Sequence, residues 1–212
     1  MRILFLGLQA ENDYYSCTMV GQYTRQIKPE ITVVGIDASL TNTGVSALHR
    51  TEHNLSLVRP GKLRGAARLA NIRDRVWEQV IAHGIPQMVA IEGYSYDSVG
   101  RLFDLGEGGG TIKLKLFDHG IPTVIVPPTS LKKFATGNGG ASKKKMIESA
   151  YAQYGVTTEN DNLADAVALA MFAYVVLTKD SERRCELEAV KALAAVNDKA
   201  NKLVFKTFWV AI

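Results

Sequence analysis

Two short strings each place a single carboxylate at the end of a hydrophobic strand. GIDAS closes a β-branched run over Ile31–Ser39 with Asp37, and VAIEG, Val89–Gly93, closes another with Glu92. An acid in that position needs a cation, because a carboxylate left unpaired in apolar surroundings is strongly destabilising or takes up a proton. A third acidic cluster, Glu159–Asp165, opens an apolar helix further along. Three separated carboxylate sites on one α/β chain point to a divalent metal site. Hard cations such as Mg²⁺ take carboxylate oxygens and retain part of their water, which suits acids rather than His or Cys.

The elements that must position these acids can be read from periodicity. After TVVGIDAS come a turn at Thr41–Gly44, a strand GVSALHR, a third strand near Leu55–Val58 and the Pro60–Gly61 turn, an antiparallel meander. From Ala66 to His83, Leu69, Ile72, Val76 and Val80 recur at helical spacing with Arg68, Arg73 and Arg75 between them, and Gly84 stands where a helix-ending glycine would. The Glu92 strand follows. Arg101–His119 has helical spacing interrupted by GEGGG, which by composition reads as a flexible loop, and TVIVPP is a strand stopped by its prolines. A short helix around Leu131, a Gly-rich loop at Gly137–Gly140, a helix from Ser142 and an all-round apolar helix over Asn162–Leu177 complete the order. The order βββαβαβ and then helices is that of an α/β fold with a mixed five-stranded sheet flanked by helices. The expected division is an N-terminal extension over 1–30, the main domain over 31–179, and a C-terminal charged helix with an apolar tail over 180–212.

Composition narrows the function. At 212 residues the chain suits one domain, and its +4 formal charge is mild. The charge is unevenly spread: Leu131–Ile147 carries five lysines and no acid, a surface a polyanion would favour. Cys17 and Cys185 follow no metal or disulfide spacing. His49 and His53 lack a third ligand and read as structural. The apolar run at the start is only about six residues, and Ala166–Leu177 is shorter than the roughly 20 residues that span a bilayer. The expectation is a cytoplasmic protein, in the host cytoplasm if phage-encoded, with no membrane segment and no organic cofactor.

GIDASLTNTG, AIEG, PPTSLKKFATGNGGASKKKM and DNLADAVALA, in that order and spacing, resemble the RuvC family of Holliday-junction resolvases, particularly its phage-type members. The resemblance covers roughly Thr32–Leu177. It implies a ribonuclease-H-like fold and a Mg²⁺-dependent endonuclease, with Mn²⁺ able to substitute and two ions per site, acting as a homodimer on branched DNA. Asp37, Glu92 and Asp165 match the family's metal-holding acids. Lys132 and Lys143 fall near its active-site-flanking lysines, and Lys133 and Lys144 extend that phosphate-tracking surface. The family's wedge aromatic has no in-register match, since position 95 is Ser, but Tyr94 and Tyr96 flank it as base-stacking candidates. The family usually places another acid or a His three residues before the last acid, where this chain has Asn162. Asp161 is one residue earlier, and on a helix either shares the face of Asp165. Charge favours Asp161 as the ligand, with Asn162 as the helix cap. The resemblance also moves GEGGG onto a helix, where missing side chains would let a second subunit approach.

Cleaving a phosphodiester requires an activated water and neutralisation of charge on the leaving oxygen, which two metal ions about 3.5–4 Å apart supply. Three alternatives stand beside this reading. Another ribonuclease-H-fold nuclease would cut RNA–DNA hybrids or branched DNA more generally. GIDASLTNTG also fits the phosphate loop of actin- and hexokinase-like ATPases, which need two copies of the fold where this chain has one. A non-catalytic DNA-binding module is disfavoured, because three acids facing a phosphate backbone without metal would repel it.

Overall fold

The computed structural model describes residues 27–93, 102–196 and 199–209. Tyr94 and Tyr96 lie outside these residues, as does most of the N-terminal extension. Five strands, β1 (Thr32–Asp37), β2 (Thr43–His49), β3 (Glu52–Val58), β4 (Met88–Glu92) and β5 (Thr123–Val126), form one sheet in the order β3-β2-β1-β4-β5. β1 pairs antiparallel with β2 and β2 with β3, while β4 lies parallel to both β1 and β5. The mixed five-stranded sheet that opens with a meander is therefore the observed architecture.

Helices α1 (Gly65–Val80) and α2 (Leu102–Asp118) cover one face of the sheet. On the other face lie α3 (Pro128–Thr136), α4 (Lys143–Tyr154), α5 (Asp161–Thr178), α6 (Arg184–Ala195) and α7 (Lys202–Phe208). Every residue of α5 from Leu163 to Val176 is buried except Asp165. α5 is the one described helix long and apolar enough to cross a bilayer, with mean hydropathy 1.4, and 72% of that stretch is buried inside the protein. A helix that is apolar all round and yet this enclosed is the centre of a core.

GEGGG does not interrupt the helix at Arg101–His119 as its composition suggested; it lies within α2. The reason is tertiary. Ile112 and Leu116 anchor α2 in the core, and Gly108 is where Leu40 crosses: a Cβ there would stand 2.8 Å from Leu40 Cδ2. The two histidines are structural. The buried His53 shares a 2.8 Å hydrogen bond with Ser46 Oγ, and His49 shares one of 2.8 Å with Thr32 Oγ1.

Residues on either side of 31–179 pack on the same core. Ile27 is buried, and the Lys28 N–H donates to Tyr174 Oη. From α6 and α7, Ala189, Val190, Leu193, Val204 and Phe205 join the α5 cluster. Asn201 donates to Ile125 O and accepts from Ile125 N, both at 2.8 Å, so its amide occupies the open edge of β5 as a neighbouring strand would.

Candidate active site

Strand alternation decides which way the acids face. In β1, Val34 and Ile36 belong to the α1/α2 side, whereas Val33 belongs to the α5 side. Asp37, two residues beyond Gly35, therefore points toward α5. In β4, Val89 and Ile91 face α1/α2 while Met88 and Ala90 face α5, so Glu92 points the same way as Asp37. Ile36 is level with Ile91 in the parallel register, which brings Asp37 and Glu92 to one height on adjacent strands.

Two glycines bring α5 down onto them. A Cβ on Gly35 would lie 2.0 Å from Ala166 O and 2.3 Å from Ala170 N. A Cβ on Gly44, the cross-strand partner of Asp37, would lie 2.3 Å from Asn162 O. The helix backbone thus rests on the sheet backbone with no side chain between, and Asp165 stands over the two strand-end acids. No particular periodicity marks Gly35 and Gly44 in the sequence; the only available signal is a glycine inside a strand run, which favours close approach of another backbone.

The electrostatics are those of a site short of positive charge. Burial, then the charges of Glu92 and Asp165, push Asp37 well above the usual carboxylate range, and Asp37 hydrogen-bonds Glu92. Burial also raises Glu92, against the pull of Lys132. Asp165 is pushed up to about 7 by burial and by the charges of Glu92 and Asp161, again opposed by Lys132 and Lys143. Asp165 Oδ1 is enclosed and has no hydrogen-bond partner. An orphaned carboxylate oxygen beside a proton-sharing acid pair fits an oxygen-seeking divalent cation, which would satisfy the lone pairs and neutralise the charge. Among the described residues no three His, Cys, Asp or Glu side chains already form a finished chelate.

Asp161 and Asn162 divide the work differently from expectation. The helix cap is Asn160, whose extended backbone lets its Oδ1 accept from Leu163 N at 3.1 Å. Asn162 lies inside the first turn instead, and its Nδ2 donates to Asn42 O at 2.5 Å, tying α5 to the β1–β2 loop. Asp161 accepts a hydrogen bond from Lys143 Nζ, and that bond holds its carboxyl below the usual range.

The lysines separate into two groups. Lys132, on α3, bears on Glu92 and Asp165, and Lys143 reaches Asp161 from the first turn of α4. Lys133 turns to Glu188 of α6, 3.9 Å away, and Lys144 is exposed on α4.

The family model described as crossover junction endodeoxyribonuclease RuvC matches residues 33–173. The RuvC of Gloeobacter violaceus is 33% identical over 107 residues, 50% of this chain and 61% of that protein. The RuvC of Nitratidesulfovibrio vulgaris strain DP4 is 30% identical over 122 residues, 55% of this chain and 73% of that one. The Mycobacterium bovis RuvC is 32% identical over 150 residues, covering 66% of this chain and 79% of the relative. Among solved structures, Thermus thermophilus RuvC superposes with a TM-score of 0.59 at 23% identity, over 68% of this chain and 95% of that one. The same protein in complex with Holliday junction substrate gives 0.58 at 24% identity, over 67% and 92%. These two structures have the fold found here.

Proposed function

The chain belongs to the RuvC family of crossover junction endodeoxyribonucleases, and on that premise we propose that it resolves four-way (Holliday) junctions and related branched DNA by paired symmetric nicks. The observation that carries this reading is the convergence of Asp37, Glu92 and Asp165, from two adjacent strand ends and the helix laid over them, with Asp165 Oδ1 enclosed and unpartnered. The family is divalent-metal-dependent; here Asp37, Glu92, Asp165 and Asp161 would hold the ions, Mg²⁺ with Mn²⁺ able to substitute, two per site. Bound there, they supply an activated water and neutralise the leaving oxygen.

The protein's own groups do the rest. Asp37 and Glu92 are fixed by the sheet, so their oxygens are preorganised rather than recruited from loops. Lys132 faces the same acids and is placed to hold a phosphate against them. Lys143 pairs with Asp161 in the free protein and is the group a DNA phosphate would compete for. Tyr94 and Tyr96 are the base-stacking candidates. No organic cofactor takes part, and the enzyme works on DNA in the cytoplasm.

Two symmetric nicks require two sites, hence a twofold homodimer. Its support is the exposed side of α2, where Leu114 is 60% and Phe117 79% exposed and a Cβ at Gly106 or Gly110 would meet nothing within 4 Å. A monomer mass by light scattering, free and with junction bound, would refute it.

The deciding experiment incubates the protein with Mg²⁺ and four-way junction, linear duplex, flap and RNA–DNA hybrid side by side. Junctions are cut in preference to the other substrates, and cutting is abolished in Asp37→Asn and Glu92→Gln while junction binding survives, since affinity comes mainly from phosphate contacts. Undiminished cutting by Asp37→Asn, or a preference for the hybrid, overturns the reading.

A further inference from the structure

A second acid-free stretch of the chain lies on the opposite face of the sheet from the lysines. Between Glu52 and Asp74 there is no acid, and Arg59, Lys62, Arg64, Arg68 and Arg73 fall in that interval. Arg73 is taken up by Asp74, and Arg59 donates to Asn42 of the β1–β2 loop. Lys62 and Arg64 are exposed and Arg68 is half-buried, and none of the three has an ion-pair partner among the described residues. Arg68 Nε is enclosed without a hydrogen-bond partner, as is Asn71 Oδ1 on the same side of α1 one turn later. Nothing local neutralises the cluster: Arg64, at the N-cap of α1, makes no side-chain cap, and the first turn of α1 carries no acid.

Topology carries this cluster to the carboxylate end of the sheet. β3 is antiparallel to β2, which is antiparallel to β1, so β3 runs the same way as β1 and β4. The helix that crosses from β3 to β4 must run back against them, which puts the start of α1 beside the ends that carry Asp37 and Glu92. Hydrogen bonds fix the same placement. Asn162, in the first turn of α5, donates to Asn42 O at 2.5 Å; Arg59 Nε donates to Asn42 Oδ1 at 3.1 Å; Arg75 Nη1 donates to Arg59 O at 2.9 Å. One residue, Asn42, therefore separates the helix bearing Asp161 and Asp165 from the basic loop. The lysines of α3 and α4 flank the acids on the α5 side, and the arginine cluster flanks them on the α1 side.

We propose that Lys62, Arg64 and Arg68 bind the phosphates of a second arm of the branched DNA, next to the arm whose strand lies at Asp37, Glu92 and Asp165. The two basic surfaces look out from opposite faces of one sheet, so a straight duplex crossing the acids follows one of them and leaves the other bare. Two arms diverging from a branch point engage both. The inference rests on the proposed junction-resolving activity and names further residues for that substrate.

The test measures binding in the Asp37→Asn background, where the DNA stays intact. Lys62→Gln/Arg64→Gln/Arg68→Gln should reduce the slope of log affinity against log salt on a four-way junction by about 2.7, at about 0.9 for each phosphate no longer neutralised. Over a fourfold change in salt that is about 40-fold in affinity. Lys62→Gln/Arg64→Gln, which alters only exposed side chains, should remove about 1.8 of slope and guards against a folding defect in the triple variant. A photo-crosslinker on Arg64→Cys should mark the arm adjoining the scissile strand. An unchanged slope in both variants, or crosslinks confined to the scissile arm, overturns the inference. If the parent protein binds junction no better than linear duplex, the proposed function itself fails and this inference with it, a result distinguishable from a reduced slope on a bound junction.

Discussion

The two faces of the sheet are built to different tolerances. On the α5 face, helix backbone meets strand backbone at Gly35 and Gly44, where a single added methyl carbon would sit 2.0 and 2.3 Å from a carbonyl oxygen. On the α1/α2 face the contact is between side chains, Val34, Ile36, Val89 and Ile91 of the strands packing with Ile72, Val76, Val80, Ile112 and Leu116 of the helices. The acids occupy the first face, and the second contributes packing and cations. The proposed metal chemistry needs oxygens fixed in place and would sit where the backbone sets the distances, whereas the proposed phosphate contacts, which act over longer range, would tolerate side-chain slack.

The contrast is sharpest in stability. Gly35→Ala should destabilise by more than about 4 kcal/mol or prevent folding, because neither the strand nor the helix backbone can yield to a buried overlap. A chemical-denaturation loss below about 1 kcal/mol would show that α5 can lift from the sheet and that the close seat is not required.

Next in size is the pH dependence of the metal-free protein. Asp165, near 3.8 in the unfolded chain, is pushed up to about 7 in the fold. A raised acid contributes stability that is fully present below its unfolded value and is lost as pH rises through its folded one, so the loss falls between about pH 4 and 7. It amounts to roughly 2–4 kcal/mol. His53 acts in the opposite sense over part of the same range: burial lowers it to about 4, so its contribution is lost as pH falls from about 6.5. The comparison is therefore made between the parent and Asp165→Asn in EDTA. The parent's Tm should drop relative to the variant's from pH 5 to pH 8, and Mg²⁺ at pH 8 should restore it in the parent alone. Parallel curves would mean that Asp165 is not held above its ordinary range.

Lys132→Ala should weaken junction binding for every sequence and flatten its salt dependence by about one unit. A change in sequence preference with the slope intact would mean that Lys132 reads bases instead. The smallest effects belong to the looser face. Gly110→Ala should stabilise α2 by about 0.5–1 kcal/mol, since alanine is the better helix former and the added carbon meets nothing. Gly108→Ala should be close to neutral, as Leu40 can swing aside. A gain in monomer stability accompanied by a weaker dimer would place Gly110 under the partner subunit.

Much of the site is legible in the residues alone. Asp37 and Glu92 announce themselves because a carboxylate ending a β-branched run is chemically conspicuous, whereas the residues alone mark only the acidic cluster Glu159–Asp165, and it is the resemblance to the RuvC family that singles out Asp165 within it. The meander, the helix from Ser142 and the mixed sheet follow from turn residues and periodicity, which are local properties. GEGGG misleads because glycine's weak helix propensity is also local, and packing of Ile112 and Leu116 outweighs it. The cap falls to Asn160 rather than Asn162 because a helix start shifts by a residue or two with its surroundings.

What the amino-acid order determined by itself is which groups exist, how the strands alternate, and therefore that Asp37 and Glu92 can share a face. Only the tertiary structure decided which face, that α5 would lie backbone-to-backbone on Gly35 and Gly44, that Lys143 would take Asp161, and that Asn42 would join the arginine loop to the acid-bearing helix. Alternation is a local rule that any strand obeys. The convergence of residues 37, 92 and 165 depends on how separate elements fill space together, which no short stretch of sequence encodes.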